Sequence, residues 1–163
     1  MLNRIFKLVA VFSLLASSML AAQELRTTEY QDWVGICGEI QGQERCEIQQ
    51  TLFMQGEEGD SKLLEANLSL VDGQMVMQLL LPLGIDLRPG IAMQIDQGEE
   101  FGADVFSCFH EGCIVAFPVD DARLAAMRAG TTFKVGFRPF NSAEVMVLEV
   151  SLMGFTNASR SIK

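Results

Sequence analysis

Histidine is almost missing from this sequence: His110 is the only one among 163 residues. Any Ser-His-Asp or Cys-His apparatus must therefore use it. It lies in a tight turn between Cys108 and Cys113, where an exposed turn residue is the simpler reading. Missing too are a Gly-x-Ser-x-Gly elbow, a His-Glu-x-x-His pair, a phosphate loop and a dinucleotide glycine pattern. Positive charge is scarce, with 12 Lys and Arg against 21 Asp and Glu for a net charge of −9. That balance disfavours a nucleic-acid backbone as partner, and it gives no electrostatic hold on anionic lipid. The single tryptophan, Trp33, stands beside Asp32 and near Cys37, and reads as a core plug against a disulfide rather than a ligand platform.

Long apolar runs are confined to the N-terminus. Arg4 and Lys7 precede an apolar stretch from Leu8 to Leu15, and small residues follow at Ser17, Ser18, Ala21 and Ala22. This order is that of a secretory signal, and the run is shorter than the roughly 20 apolar residues that a membrane span needs. Residues 1–22 are therefore expected to be removed, leaving 23–163 as a single domain of net charge −11 once Arg4 and Lys7 are gone. Gln23 at the new N-terminus offers no thiol for acylation, so no membrane anchor is expected.

What is present includes four cysteines, Cys37, Cys46, Cys108 and Cys113, all beyond the signal. An even count in an exported chain reads as two disulfides, for which three pairings exist. Local pairing is the simplest, because each intervening segment resembles a hairpin turn. A two-residue turn at His110-Glu111 puts Cys108 and Cys113 directly opposite, and a left-handed bulge at Gly112 makes them diagonal neighbours. Spacings of C-x8-C and C-x4-C lack the C-x2-C closeness of zinc sites and redox dithiols, so neither metal nor cofactor is expected there. The acidic clusters Glu57-Glu58-Gly59-Asp60 and Asp96-Gln97-Gly98-Glu99-Glu100, with Asp104 nearby, lack EF-hand spacing and read as loop tips.

Period-two alternation dominates the rest. Leu64, Ala66, Leu68 and Leu70 alternate with Glu65, Asn67 and Ser69; Phe133, Val135 and Phe137 oppose Lys134 and Arg138; Ile91, Met93 and Ile95 form a third set. Trp33 to Cys37, Cys46 to Met54, Val105 to Phe109 and Cys113 to Phe117 are further strands, for roughly nine or ten in all. Met75 to Leu81 and Val145 to Val150 are apolar on both faces, which suggests central or doubly covered strands. Asp72-Gly73 is the best hairpin signal, and Met75, Met77 and Met93 fall at core positions. One helix is expected over 120–129, capped by Asp120 and ended by Gly130, with Leu124 and Met127 facing the sheets. The fold class is all-β: an antiparallel β-sandwich or related barrel with that one short helix.

Several landmarks together resemble the invasion-associated locus B proteins, small exported proteins of Gram-negative bacteria. They are Asp32-Trp33 with Cys37, Cys46-Glu47-Ile48, and Leu81-Pro82-Leu83-Gly84-Ile85 with Leu87, Gly90 and Ile91. Ile95-Asp96 with Gly98, Cys108 with Gly112-Cys113, and Ser151 to Phe155 with Ala158 complete the order. The resemblance implies a periplasmic or surface-associated β-domain without established catalytic residues. The expected function is thus a non-enzymatic envelope or secreted protein that binds a protein or glycan partner, assisting host-cell interaction in pathogenic relatives. Two alternatives stand beside it: a secreted hydrolase using carboxylates such as Asp96 and Glu99, and a small-ligand carrier with Met-lined strands. The oligomeric state is left open. N-terminal sequencing of the exported protein should begin at Gln23, and a product retaining Arg4 and Lys7 would refute the cleavage expectation.

Overall fold

The computed structural model describes residues 25–56 and 59–163, so the expected signal segment and Glu57-Glu58 lie outside the described residues. Among the described residues, eleven strands and two helices follow one another. They are β1 (Arg26–Tyr30), β2 (Trp33–Ile40), β3 (Gln43–Met54), β4 (Ser61–Val71), β5 (Gln74–Leu81), β6 (Ile91–Ile95), β7 (Phe101–Ala103), β8 (Val105–Phe109), β9 (Gly112–Pro118), α1 (Asp121–Ala129), β10 (Thr132–Phe137), β11 (Met146–Ser151) and α2 (Phe155–Ser159). The strands make a seven-stranded sheet, β1-β2-β3-β4-β5-β9-β8, and a four-stranded sheet, β11-β10-β6-β7, antiparallel throughout.

Alternation decides which face turns inward. Ile48, Leu64, Ala66, Leu68, Met77, Leu79 and Val115 of the larger sheet are buried against Met93, Phe133, Val135, Phe137 and Val150 of the smaller one. Burying each of these side chains other than Ala66 contributes about 1.5–3 kcal/mol. Met77 and Met93 are core residues, as their positions suggested. The sheets form a sandwich, and α1 sends Leu124 and Met127 into the same core.

Local signals explain the turns. Asp72 and Gly73 both have positive φ and join Val71 to Gln74 directly, the two-residue hairpin that Asp-Gly favours. Gln41 and Gly42 do the same between β2 and β3. Helix α1 has Asp120 accepting from the Arg123 N–H at 2.7 Å. Gly130 does end it, but with φ of −82° rather than left-handed. Its missing side chain serves close packing instead, since a Cβ there would sit 2.8 Å from the Asp96 carboxylate and 3.0 Å from the Ala126 carbonyl.

Both disulfides are the local ones. Cys37 faces Cys46 with Cα atoms 4.1 Å apart, and Cys108 faces Cys113 at 4.0 Å. The second closes a two-residue turn at His110-Glu111, so the cysteines are directly opposed and not diagonal. Loops this short contribute about 2–3 kcal/mol each on a chain-entropy account.

Three expectations change. Strands β1 and β7 escape the period-two reading because β1 is polar and β7 spans only Phe101–Ala103. Helix α2 is an unforeseen single turn that buries Phe155 and Ala158. Val145 to Val150, read as central or doubly covered, belongs to an edge strand; Met146 and Val147 stay exposed, while Met75 to Leu81 is indeed internal as β5.

Two glycines with positive φ separate strain from space. At Gly154, φ is +87° and a Cβ would collide with the Tyr30 carbonyl, whereas at Gly42, φ is +78° with nothing nearby. Gly42→Ala should therefore cost only the left-handed penalty of about 1–2 kcal/mol. Gly154→Ala should lose that plus about 1–3 kcal/mol of steric strain, a difference that paired urea titrations will resolve.

Candidate functional site

The stretch from Leu81 to Ile91 leaves the larger sheet and enters the smaller one. Ile85 bridges Pro139, the Asp86 N–H donates to the Arg138 carbonyl at 2.7 Å, and the Phe140 N–H donates to the Gly84 carbonyl at 2.8 Å. These bonds lay 84–86 beside the continuation of β10, in the path that β6 takes one step later. Between them, Leu87 to Gly90 bulges out, with Gly90 at φ +71°.

A buried carboxylate holds this loop. Asp86 is 3% exposed, and one of its oxygens accepts from the Arg88 N–H at 3.2 Å and from Arg88 Nε at 2.8 Å. The other accepts from Arg88 Nη2 at 2.8 Å and from Arg138 Nη2 at 2.5 Å. The Arg88 and Arg138 guanidiniums together hold the Asp86 carboxyl far below the usual carboxylate range, outweighing its desolvation. The Arg88 guanidinium is pushed up in turn by the same partner. Two cations share one anion here, so the cluster keeps a net positive charge on an acidic chain.

Exposed apolar residues adjoin the clasp along the chain. Leu83, Leu87 and Phe140 are exposed, Arg88 is 78% exposed, and Val145 lines a small cleft of about 120 Å³ with Pro89, Gly90 and Arg138. The result is a rim in which exposed Leu83, Leu87 and Phe140 adjoin, along the chain or across the Phe140–Gly84 backbone bond, the residues that the clasp holds. Its chemistry suits contact with an apolar anchor carrying a negative charge. Sequence reasoning passed over Asp86, although it stands inside the Leu81–Ile91 landmark. The Asp-x-Arg spacing was the available signal; Arg138, 52 positions away, gave none.

Other candidate residues fall elsewhere. Asp96 has φ of +49°, and its carboxylate accepts from the Thr131 N–H, the Thr131 hydroxyl and the Thr132 N–H at 2.8–3.0 Å. Those bonds, led by the Thr131 N–H, hold its carboxyl below the ordinary range. Glu99 lines a cleft of about 470 Å³ with Glu100, Asp120 and Arg123, in which Asp96 takes no part. The suggested Asp96–Glu99 pair is therefore not brought together: one member is spent on joining the β6–β7 turn to β10. Arg123 in that cleft is itself engaged, stacked 4.3 Å over the Phe101 ring. His110 is exposed at the β8–β9 hairpin tip beside Glu111. Trp33 is fully buried, packed edge-on against Phe155 with ring centres 5.2 Å apart, so it is a core plug whose ring partner is Phe155. Cys37 and Cys46 lie near Glu44, but both sulfurs are bonded to each other. No helix among the described residues is long and apolar enough to cross a membrane.

A family model described as invasion associated locus B (IalB) protein matches residues 33–163. Among curated relatives, an invasion protein B homolog of Brucella abortus is 24% identical over 151 residues, covering 92% of this chain and 86% of the relative. Invasion protein B of Bartonella bacilliformis is 28% identical over 140 residues, covering 83% and 74%. The crystal structure of invasion associated protein b from Bartonella henselae is similar with a TM-score of 0.70 and 26% identity, over 83% of this chain and 92% of that one.

The Asp86 and Asp96 shifts predict an acid response of defined sign. Both carboxyls are depressed in the folded state relative to about 3.9 in the unfolded chain. Their contribution is complete above that unfolded value and disappears as pH falls through the folded ones. Melting temperature should be flat from pH 7 to about 5 and fall steeply below about 4. Asp86→Asn should melt lower at pH 7 and show a shallower acid slope; an unchanged slope would refute the clasp.

Proposed function

We propose, from the premise that this chain belongs to the invasion associated locus B family, that it is an exported, non-enzymatic envelope protein that binds a protein partner through the clasped rim. The carrying observation is the rim itself. Leu83 and Leu87 on the β5–β6 loop and Phe140 on the segment after β10 are exposed, and the two segments are joined by backbone bonds and by the buried Asp86 carboxylate, which bonds Arg88 and Arg138. Exposed apolar groups on segments pinned by such bonds are suited to anchor protein contacts. The net positive cluster favours a partner whose anchor is flanked by Asp, Glu or a terminal carboxylate. Export follows from the signal-like N-terminus, and the Gram-negative relatives point to the periplasm or the cell surface. The relatives' names tie them to invasion, and a role of this chain at a host cell is the finer form of the same proposal.

A photo-reactive side chain at Phe140, in the bacterium that encodes the protein, should give an adduct with one discrete protein. The adduct should disappear in Leu83→Asp/Leu87→Asp and persist in Val147→Lys, which lies off the rim. No adduct, or one indifferent to the double substitution, would overturn the proposal, provided that circular dichroism shows the variant folded.

A further inference from the structure

The clasp uses its two arginines unequally. Arg88 gives Asp86 its backbone N–H, its Nε and its Nη2, whereas Arg138 gives Nη2 alone. The Arg138 Nε and Nη1 groups meet no acceptor among the described residues, although the buried carboxylate holds the same guanidinium in place. The Asp86 N–H also donates to the Arg138 carbonyl, so both the backbone and the side chain of Arg138 are positioned. A planar fork held at one nitrogen keeps its other donors in set directions.

Arg138 lines the cleft of about 120 Å³ together with Pro89, Gly90, Ala92, Gly136 and Val145. Ala92 and Gly136 are register partners on β6 and β10, and by alternation Gly136 shares a sheet face with Lys134 and Arg138. At this point of that face the two strands supply only a methyl group and a hydrogen. A Cβ at Gly136 would meet the Val145 side chain at 3.6 Å, so Val145 forms a wall beside a floor of small residues. Size narrows the occupant. An apolar cavity of about 150 Å³ takes a benzene ring, whereas drug-sized ligands need about 300–1,000 Å³. The cleft thus suits one short branched aliphatic group. The Asp104 carboxylate comes close to Gly90 without lining the cleft, so an anion there is drawn by the Arg138 donors at short range and not by a broad positive field.

We propose that this cleft captures the C-terminal residue of a partner chain. Ala92, Gly136 and Val145 receive an aliphatic last side chain, such as valine or leucine, and the uncommitted Arg138 donors take the terminal carboxylate. The inference rests on the reading of the rim as a protein contact, and it names the part of the partner that is held. A chain terminus carries an apolar stem and a carboxylate on one Cα, which matches a small apolar floor with a guanidinium in its wall. An internal Asp or Glu brings the charge without that stem. Arginine donors to a carboxylate are charge-assisted, and capture of a terminal carboxylate is a recurring mode of peptide recognition.

Titration of the purified protein with a pentapeptide ending in valine, followed by nuclear magnetic resonance, should shift the Gly90, Ala92 and Val145 amides with a dissociation constant on the order of 1 mM. The same peptide with an amidated C-terminus should bind about tenfold more weakly or worse, since the charge-assisted bonds are lost. Ala92→Leu fills the floor, leaves the clasp residues unchanged, and should abolish the shifts at an unaltered melting temperature. Val145→Asp, at an exposed position, should abolish them by placing a like charge at the mouth. Isovalerate has the same stem and carboxylate without a chain, and should bind more weakly than the peptide. No shift with the peptide, an amide as tight as the acid, binding retained in both variants, or isovalerate as tight as the peptide (a site for free small acids) would each overturn the proposal. With the photo-reactive group at Phe140, the adduct should fade in Ala92→Leu; an adduct that persists there overturns the capture of a terminal residue and leaves the rim reading standing.

Discussion

The two sheets are held in position by one peptide group. The Ser151 N–H donates to Gln50 Oε1 at 2.9 Å, while the Ser151 carbonyl accepts from Gln50 Nε2 at 3.0 Å and from the Trp33 indole N–H at 2.8 Å. Gln50 and Trp33 are buried residues of the larger sheet, and Ser151 is the last residue of the smaller one. Apolar packing alone tolerates sliding between layers, but a buried amide that spends both ends on one peptide does not. Breaking it leaves polar groups buried without partners, at about 1–3 kcal/mol each. The neighbourhood follows from that link. Phe155 fills the space beside Trp33, Gly154 turns tightly against Tyr30, and α2 is tied to α1 by the Arg128 Nε donation to Ser159 Oγ and the Thr156 hydroxyl donation to the Arg128 carbonyl.

Two carboxylates, one buried and one partly exposed, each fix a segment that lacks a regular ladder. Asp86 pins the crossing from β5 to β6, and Asp96 pins the β6–β7 turn to the start of β10. Each carboxylate meets several donors, so its ionised form is the stable one. At both positions the carboxylate is held by donors from a neighbouring segment, so it serves as a fastener. The Asp86 case has a further result: its arginines keep a polar foothold in an apolar rim, which gives orientation as well as adhesion.

The legible parts of the sequence were those whose cause is local. Asp72-Gly73 needs positive φ at two adjacent residues, Asp120 needs only the N–H three positions on, and Cys108 with Cys113 need only a turn. The sandwich itself followed from alternation, because inward residues such as Leu64, Ala66 and Leu68 declare their face two at a time. What stayed hidden depends on distant residues. Val145 to Val150 carries apolar side chains on both faces, a pattern that burial inside a sheet and an uncovered edge produce equally. Asp86 drew no notice because its second partner, Arg138, comes from just beyond β10. Gly130 was placed correctly as a helix end, but for conformational freedom rather than for the room that Asp96 requires.

Glu44 has a consequence of a different kind. Its carboxylate pairs with Arg26 on one oxygen and with Lys163 on the other at 3.2 Å, so Arg26 and Lys163 meet beside the β2–β3 hairpin. In the register of the larger sheet this hairpin adjoins the β4–β5 turn, whereas Leu81 leads away at the opposite end. The molecule therefore has a polarity along its long axis. Whatever is joined to it through Arg26 or Lys163, a reporter or a solid support alike, leaves the loop rim pointing outward and unobstructed.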